Sequence, residues 1–219
     1  MSYYVRRMRS EDIAQVTEVD REAFFTQWPP PNFQSELRNR LAYYLVACDD
    51  EKIVEQPEVK TPSGNNLTGL VSRLKRLFSR QHLSGQELPP PTWHYIVGFV
   101  GCWVMADEAH VTTIAVREAY RRQGLGGLLL IPVIDLAREL KTRTVTLEVR
   151  ASNTGAQQLY DKYGFTQVGV RRGYYIDNRE DGLVMSTDDI TSATFQEHLE
   201  QLKQAHSRRW GVALNRITR

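Results

Sequence analysis

Cysteine is scarce in this chain: Cys48 and Cys102 are the two in 219 residues. Both lie in apolar, strand-like runs, which excludes a disulfide framework and points to buried thiols in a reducing compartment. A dominant charge sign is also missing. Twenty-eight Lys and Arg stand against 26 Asp and Glu, a formal net charge of +2. That is too little for a global attraction to nucleic acid or an anionic membrane, and DNA is not expected as a partner. No apolar run reaches the roughly 20 residues that span a bilayer. Met1 is followed by no apolar signal-peptide stretch, so the cytoplasm is the expected location. What is present is enough apolar material, 41% of the chain, for one good core with appendages.

The N-terminal part alternates short elements. Tyr3 to Met8 reads as a strand, and Ser10 to Phe25 as a helix with Ser10 as N-cap and Ile13, Val16 and Val19 at three-residue spacing. Trp28-Pro29-Pro30-Pro31 breaks it. Asn32 can cap a second short helix, Phe33 to Arg40, before a strand from Leu41 to Cys48. From Asp49 to Pro91 prolines and polar residues lead in and out, as in a flexible insertion between neighbouring strands. Within it, Leu67, Leu70, Val71, Leu74, Leu77 and Phe78 keep helical spacing, with Arg73, Lys75, Arg76 and Arg80 between them. Such a basic amphipathic helix, over 67–82, suits a ribosome or membrane surface; its apolar stripe equally suits packing on the chain's own core.

Trp93 to Ala106 is a long apolar strand, and Asp107-Glu108 a tight turn. The strand is expected to pair with the Leu41–Cys48 strand and with Val111 to Val116, the β-branched run that opens VTTIAVREAYRRQGLGGLLL. That stretch continues into Arg121-Arg122-Gln123-Gly124-Leu125-Gly126-Gly127 and an apolar helix reaching Leu140. A Gly-rich turn opening a helix presents unpaired N–H groups and the positive dipole end, an anion site suited to pyrophosphate. Arg121 and Arg122 add mobile cations; the plainer reading is a turn with two solvated arginines. A Rossmann fingerprint is excluded, because Leu129 stands where its third Gly belongs, and no Gly-Lys-Ser/Thr makes a Walker loop. Thr144 to Val149 then forms a strand parallel to Val111–Val116 through a right-handed crossover. Asn153 to Tyr163 is a helix ended by Gly164. Phe165–Val170 and Gly182–Met185 form a closing hairpin, and Ile190–His206 a last helix with a basic tail.

Glu148 is the chemically conspicuous residue. In the Thr144–Val149 strand, Val145, Leu147 and Val149 share one face and Glu148 the other, with Thr146. A carboxylate there must be paired, solvated or used: either it bridges to an arginine such as Arg150 or Arg172, or it is a general base. Asn153 reads as a helix cap, with an amide that could meet a ligand. Tyr160 reads as half-buried core, or as an acid if its hydroxyl faces a leaving thiolate.

The Arg-x-x-Gly-x-Gly loop after a strand resembles the acetyl-CoA loop of the GCN5-related N-acetyltransferases (GNAT). TIAVREAYRRQGLGGLLL, LEVRASNTGAQQLYDKYGF and RRGYYIDNREDGLVM together resemble the ribosomal-protein-alanine N-acetyltransferases among them, and VDREAFFTQWPP their first helix and loop. The resemblance implies an α/β fold whose central, mostly antiparallel sheet has one parallel, splayed strand pair and is flanked by helices. It implies an acetyltransferase domain over residues 1–187, interrupted by the 49–91 insertion and followed by a helical, basic extension, 188–219. Ile114, Ala115 and Val116 would offer backbone groups to the pantetheine arm of acetyl-CoA, Arg121 to Gly127 would wrap its pyrophosphate, and Asn153 would touch it. Glu148 falls on the family's general base and Tyr160 on its general acid. Phe24, Trp28, and Tyr174 and Tyr175 in the last hairpin's loop, fall where the substrate meets the family. The expected partner is a protein N-terminus, that of a ribosomal protein, and no metal is expected. Three departures stand out: Arg121 in place of the frequent Gln, Pro132 inside the crossover helix, where a kink is expected, and the long insertion.

The reaction implied is direct acetyl transfer to an α-amine, whose pKa of about 8 asks only a modest base. Two other classes share these residues. One is an acetyltransferase of lysine side chains or small amines, with an amine pKa of about 10.4. The other is a ribosome- or membrane-docking module using the basic helix and a tail that carries Lys203, Arg208, Arg209 and Arg216.

Overall fold

The computed structural model describes residues 2–24, 31–54 and 93–210. Trp28, the amphipathic segment 67–82 and Arg216 lie outside the described residues. The chain divides into two compact units, Met1–Lys52 with His94–Arg219, and Ile53–Trp93. In the second, the Val54 N–H donates to the Trp93 carbonyl at 2.7 Å. Everything below concerns the first.

Seven strands, β1 (Tyr3–Arg7), β2 (Ala42–Ile53), β3 (His94–Met105), β4 (Glu108–Val116), β5 (Thr144–Arg150), β6 (Phe165–Tyr175) and β7 (Glu180–Thr187), form one sheet. Their order is β1-β2-β3-β4-β5-β7-β6. The pairs β1–β2, β3–β4, β5–β7 and β6–β7 are antiparallel; β4–β5 is parallel. The parallel ladder is short, running from Glu108↔Thr144 to Val111↔Leu147, although β4 continues to Val116 and β5 to Arg150. A bulge accounts for the parting. In the β3–β4 register Gly101 faces Thr113 and Cys102 faces Val111, so Thr112 is the extra residue, and such a residue bends its strand and strengthens the twist.

Helices cover both faces. On one, α1 (Ile13–Ala23) and the single turn α2 (Phe33–Glu36) bring Val16, Val19 and Phe33 onto Val46, Ile96 and Phe99. On the other, α3 (Leu125–Glu139), α4 (Thr154–Lys162) and α5 (Ala193–Trp210) place Leu128, Leu129, Tyr160 and Leu199 over Val145, Leu147 and Val149. Alternation along β5 therefore commits one face to the core and turns Thr146, Glu148 and Arg150 toward the α1 side. Cys48 and Cys102 are buried and unbridged. No helix among the described residues is long and apolar enough to cross a membrane.

Several element limits differ from expectation. The first helix is preceded by a 3-10 turn, Ser10–Asp12, capped at Arg9 rather than Ser10. The buried Asp12 carboxylate causes this, accepting from Arg6 at 2.6 and 2.8 Å and from the Arg9 N–H at 2.7 Å. The second helix stops at Glu36 instead of Arg40; Glu36 there accepts from Trp103 Nε1 at 2.8 Å. β2 runs beyond Cys48 to Ile53, so the sheet takes the first residues assigned to the insertion. The tight turn lies at Ala106-Asp107, with Ala106 left-handed at φ 52°, and Glu108 already belongs to β4. The closing hairpin is longer on both arms, and the last helix starts at Ala193. α3 runs as one helix through Pro132, which is buried within it.

Two packing details make quantitative predictions. Asp20 on α1 is 2% exposed, and its Oδ1 has no hydrogen-bond partner. Burial raises its carboxyl from 3.8 to about 6, against a smaller pull from Arg21. A folded-state pKa above the unfolded one means that this contribution is fully present below pH 3.8 and lost as pH rises through about 6. Asp20→Asn is expected to be more stable than wild type at pH 7, by about 3 kcal/mol, with the gap closing below pH 4; denaturant midpoints separated by a constant gap across pH would contradict this. A Cβ on Gly127 would lie 2.1 Å from Tyr163 Oη and 2.9 Å from His206 Nε2, while one on Gly126 would meet, at 2.7 Å, only the flexible end of Leu159. Gly127→Ala should cost about 1–3 kcal/mol and Gly126→Ala clearly less; equal losses in thermal unfolding would show that the Tyr163–His206 wall gives way.

Candidate active site

Glu148 leaves β5 on the face that carries no α3 contacts, one residue beyond the point where the parallel ladder stops. Its side chain is only 6% exposed, and both oxygens are engaged: Oε2 lies 3.1 Å from His110 Nε2 and Oε1 lies 2.9 Å from an Arg171 guanidinium nitrogen. The two arginines considered from sequence are used elsewhere. Arg150 pairs with Asp177 at 2.9 Å and Glu180 at 3.3 Å, and stacks 3.9 Å from the Tyr175 ring centre. Arg172, on the opposite side of β6 from Arg171 by alternation, pairs with Asp181.

His110 arrives through register, opposite Thr146 in the parallel pair. Its Nδ1 lies 2.9 Å from Thr146 Oγ1, which donates to Glu108 Oε1 at 2.5 Å. That donation fixes the remaining roles. With its proton given to Glu108, Thr146 is left as the acceptor toward His110 Nδ1. The contacts thus run from Glu148 through His110 and Thr146 to Glu108, whose side chain is 47% exposed.

Tyr174 and Tyr175, expected in a loop, are the last residues of β6. Their rings meet edge to face at 5.1 Å. Burial, then Glu148, pushes the Tyr174 phenol up. Burial also raises Tyr175, to about 12, with Tyr174 and Glu148 adding and Arg150 opposing. Tyr160, on α4, is 5% exposed beside Phe165. Its phenol is raised by burial and then by Tyr175. Tyr175 is thus the group that Glu148 and Tyr160 have in common. The hairpin holding it is clamped: the Ser152 N–H donates to Glu180 at 2.6 Å, and Ser152 draws that carboxyl down to about 2.

The expected cofactor residues lie on the same parting of strands. Ile114, Ala115 and Val116 continue β4 past the end of its ladder with β5, which leaves main-chain groups on that side for a ligand. The loop turns through two left-handed residues, Arg122 at φ 62° and Gly124 at φ 95°. The first α3 bond is Leu128 N–H to Gly124 O, at 3.1 Å, so the N–H groups of Leu125, Gly126 and Gly127 are the unspent donors of a helix start. Three amides at the positive end of a 15-residue helix fit a diphosphate. The neighbouring side chains are partly occupied. Arg121 Nε donates to Val116 O at 3.1 Å, Gln123 accepts from Tyr3 Oη at 3.3 Å, and Asn153 caps α4 by accepting from the Ala156 N–H at 3.2 Å. Arg122 lies over the start of α4, 3.4 Å from where a Gly155 Cβ would be. Phe24 ends α1, half-buried on the face Glu148 occupies; Trp28 lies outside the described residues. Among the described residues no group of three His, Cys, Asp or Glu is arranged to hold a metal.

Sequence reasoning missed His110 and Arg171. Setting EAHVTTIAV in parallel register with TVTLEVR would have placed His110 beside Thr146. Nothing in the linear sequence marks Arg171, which reaches Glu148 across an intervening strand.

The acetyltransferase (GNAT) family model matches residues 85–165. A Bacillus subtilis (strain 168) protein, named as a candidate [ribosomal protein bS18]-alanine N-acetyltransferase, is 32% identical over 83% of this chain and 92% of its own length. An N-alpha-acetyltransferase of Sulfurisphaera tokodaii is 31% identical over 84% and 92%. Among solved structures, the ribosomal-protein-S18-alanine N-acetyltransferase of Escherichia coli superposes with a TM-score of 0.60 at 24% identity, covering 87% of this chain and 96% of that one. With a mixed sheet parting at its one parallel pair, and relatives matched over most of both chains, this chain belongs to the GNAT family of acetyltransferases.

Proposed function

We propose that the chain transfers acetyl from acetyl-CoA to the α-amine of a protein N-terminus, and that its substrate is the N-terminal alanine of a small-subunit ribosomal protein. The ribosomal substrate rests on the name of the Bacillus relative and the α-amine also on that of the Sulfurisphaera one. The observation that carries the chemistry is Glu148, a nearly buried carboxylate at the mouth of the strand gap with His110 behind it. Residues 1–187 make up the catalytic domain in this reading, with the part of 49–91 beyond β2 an insertion that docks on a ribosome or membrane surface and 188–219 an extension. Unbridged, buried Cys48 and Cys102 suit the cytoplasm.

The amides of Leu125, Gly126 and Gly127 hold the diphosphate of acetyl-CoA, with Arg122 alongside. The segment Ile114–Val116 aligns the pantetheine arm in the gap. Glu148, directly or through one water, takes the proton of the α-ammonium, and the freed amine attacks the thioester carbonyl. A backbone N–H near Val116 meets the oxyanion. Tyr160 then donates its proton to the departing thiolate, and the second proton that the attacking nitrogen loses in becoming an amide restores the phenol. His110 and Thr146 pass the accepted proton toward Glu108 and solvent. Holding both substrates in one gap supplies the proximity term.

Glu148→Gln should lower kcat about 10²–10³-fold on a peptide beginning with alanine, with acetyl-CoA affinity by calorimetry unchanged within twofold; undiminished turnover would remove Glu148 from the role. Tyr160→Phe should slow coenzyme A release in a thiol-trapping assay by about tenfold or more, and wild-type rates in that variant would make Tyr160 a packing residue.

A further inference from the structure

A carboxylate 6% exposed needs a countercharge at all times, because an unpaired buried charge costs several kcal/mol. Glu148 has two partners, and they differ in how firmly they are held. His110 is 24% exposed, part of a paired strand and tied through Nδ1 to Thr146. Arg171 is 57% exposed on β6, the edge strand of the sheet. It crosses to Glu148 over β7, where the residue opposite it is Gly182, and Gly169 stands opposite Val184, the β7 partner of Glu148. The place of a Gly182 Cβ is taken by the Tyr174 side chain, 2.9 Å away, so Tyr174 lies beside the path of the guanidinium. In the same position the Arg171 guanidinium carbon lies 5.5 Å from the Tyr174 ring centre, within cation–π range, an attraction that does not depend on Glu148.

We propose that Arg171 is a displaceable stand-in for the acceptor's ammonium: it holds the Glu148 oxygen that the substrate's α-ammonium takes, yields to that cation, and returns once acetylation has made the nitrogen neutral. This rests on the reading of Glu148 as the base. Cation replaces cation, so peptide binding leaves no unpaired charge beside Glu148. Its consequence falls on the product. An acetylated N-terminus carries no charge with which to hold Arg171 off, and the returning guanidinium favours its departure. Arg171 thereby weakens the hold on free and acetylated N-termini alike, setting both the affinity for substrate and the weakness of product inhibition, while Glu148, which pairs only with the charged one, tells them apart.

The test measures, at one pH, the peptide KM and the inhibition constant of the N-acetylated peptide for wild type, Arg171→Gln and Arg171→Lys. Arg171→Gln should lower both constants, by about three- to fivefold for a partly exposed pair, and Arg171→Lys should restore wild-type values. A raised peptide KM in Arg171→Gln would show instead that Arg171 binds substrate, and unchanged constants would show that nothing is displaced; either result overturns the proposal. Glu148→Gln turnover, measured in parallel, separates the two failures: retained activity there removes the base itself, whereas lost activity with unmoved Arg171 constants removes only the exchange of cations.

Discussion

One parallel ladder that stops after Val111↔Leu147 governs the rest of this molecule. Were β4 and β5 paired to their ends, Ile114 to Val116 would spend their main-chain groups within the sheet and Glu148 would face a neighbouring strand. The bulge at Thr112 bends β4 away instead. The same divergence carries β4 toward the loop that opens α3, so the three unspent amides stand at the end of the gap. A local irregularity of one residue thus shapes both halves of the proposed two-substrate site.

The second constraint is electrostatic. Burying Glu148 concentrates charge interactions where water is excluded, and the surroundings answer with His110, Arg171, Tyr174 and Tyr175. Around this centre lies a firmer set of pairs. Arg150 with Asp177 and Glu180, and Ser152 with Glu180, fix the hairpin that presents the tyrosines. Arg117, reaching Glu18 and Glu22 of α1 and the Ile96 carbonyl, ties the start of the loop between β4 and α3 to α1. The rigid pairs position the elements; the partly exposed one at Glu148 is left able to exchange.

Local signals were legible in the sequence. The β4–loop–α3 unit, the alternation that turns Glu148 from the core, and the Asn153 cap all depend on neighbours within a few residues. What depended on register was not. His110 meets Thr146 36 residues away, a pairing that no single-strand pattern specifies. Arg171, not Arg150 or Arg172, reaches Glu148, and it does so across β7, which lies between their strands. β2 was cut short at Cys48 because Asp49-Asp50-Glu51-Lys52 reads as a polar loop. In the fold Asp49 is 1% exposed beside Tyr120, and Lys52 lies over the Tyr95 and Tyr120 rings. Tertiary partners overrode composition at those positions.

In the proposed reaction this gap delivers acetyl to a protein's α-amine. The most direct measurement is tandem mass spectrometry of a peptide that begins with alanine and carries an internal lysine, after incubation with the purified chain and acetyl-CoA. A single acetyl group on the α-nitrogen, with the lysine unmodified, is the predicted result; acetyl on the lysine nitrogen, or no transfer at all, would contradict it.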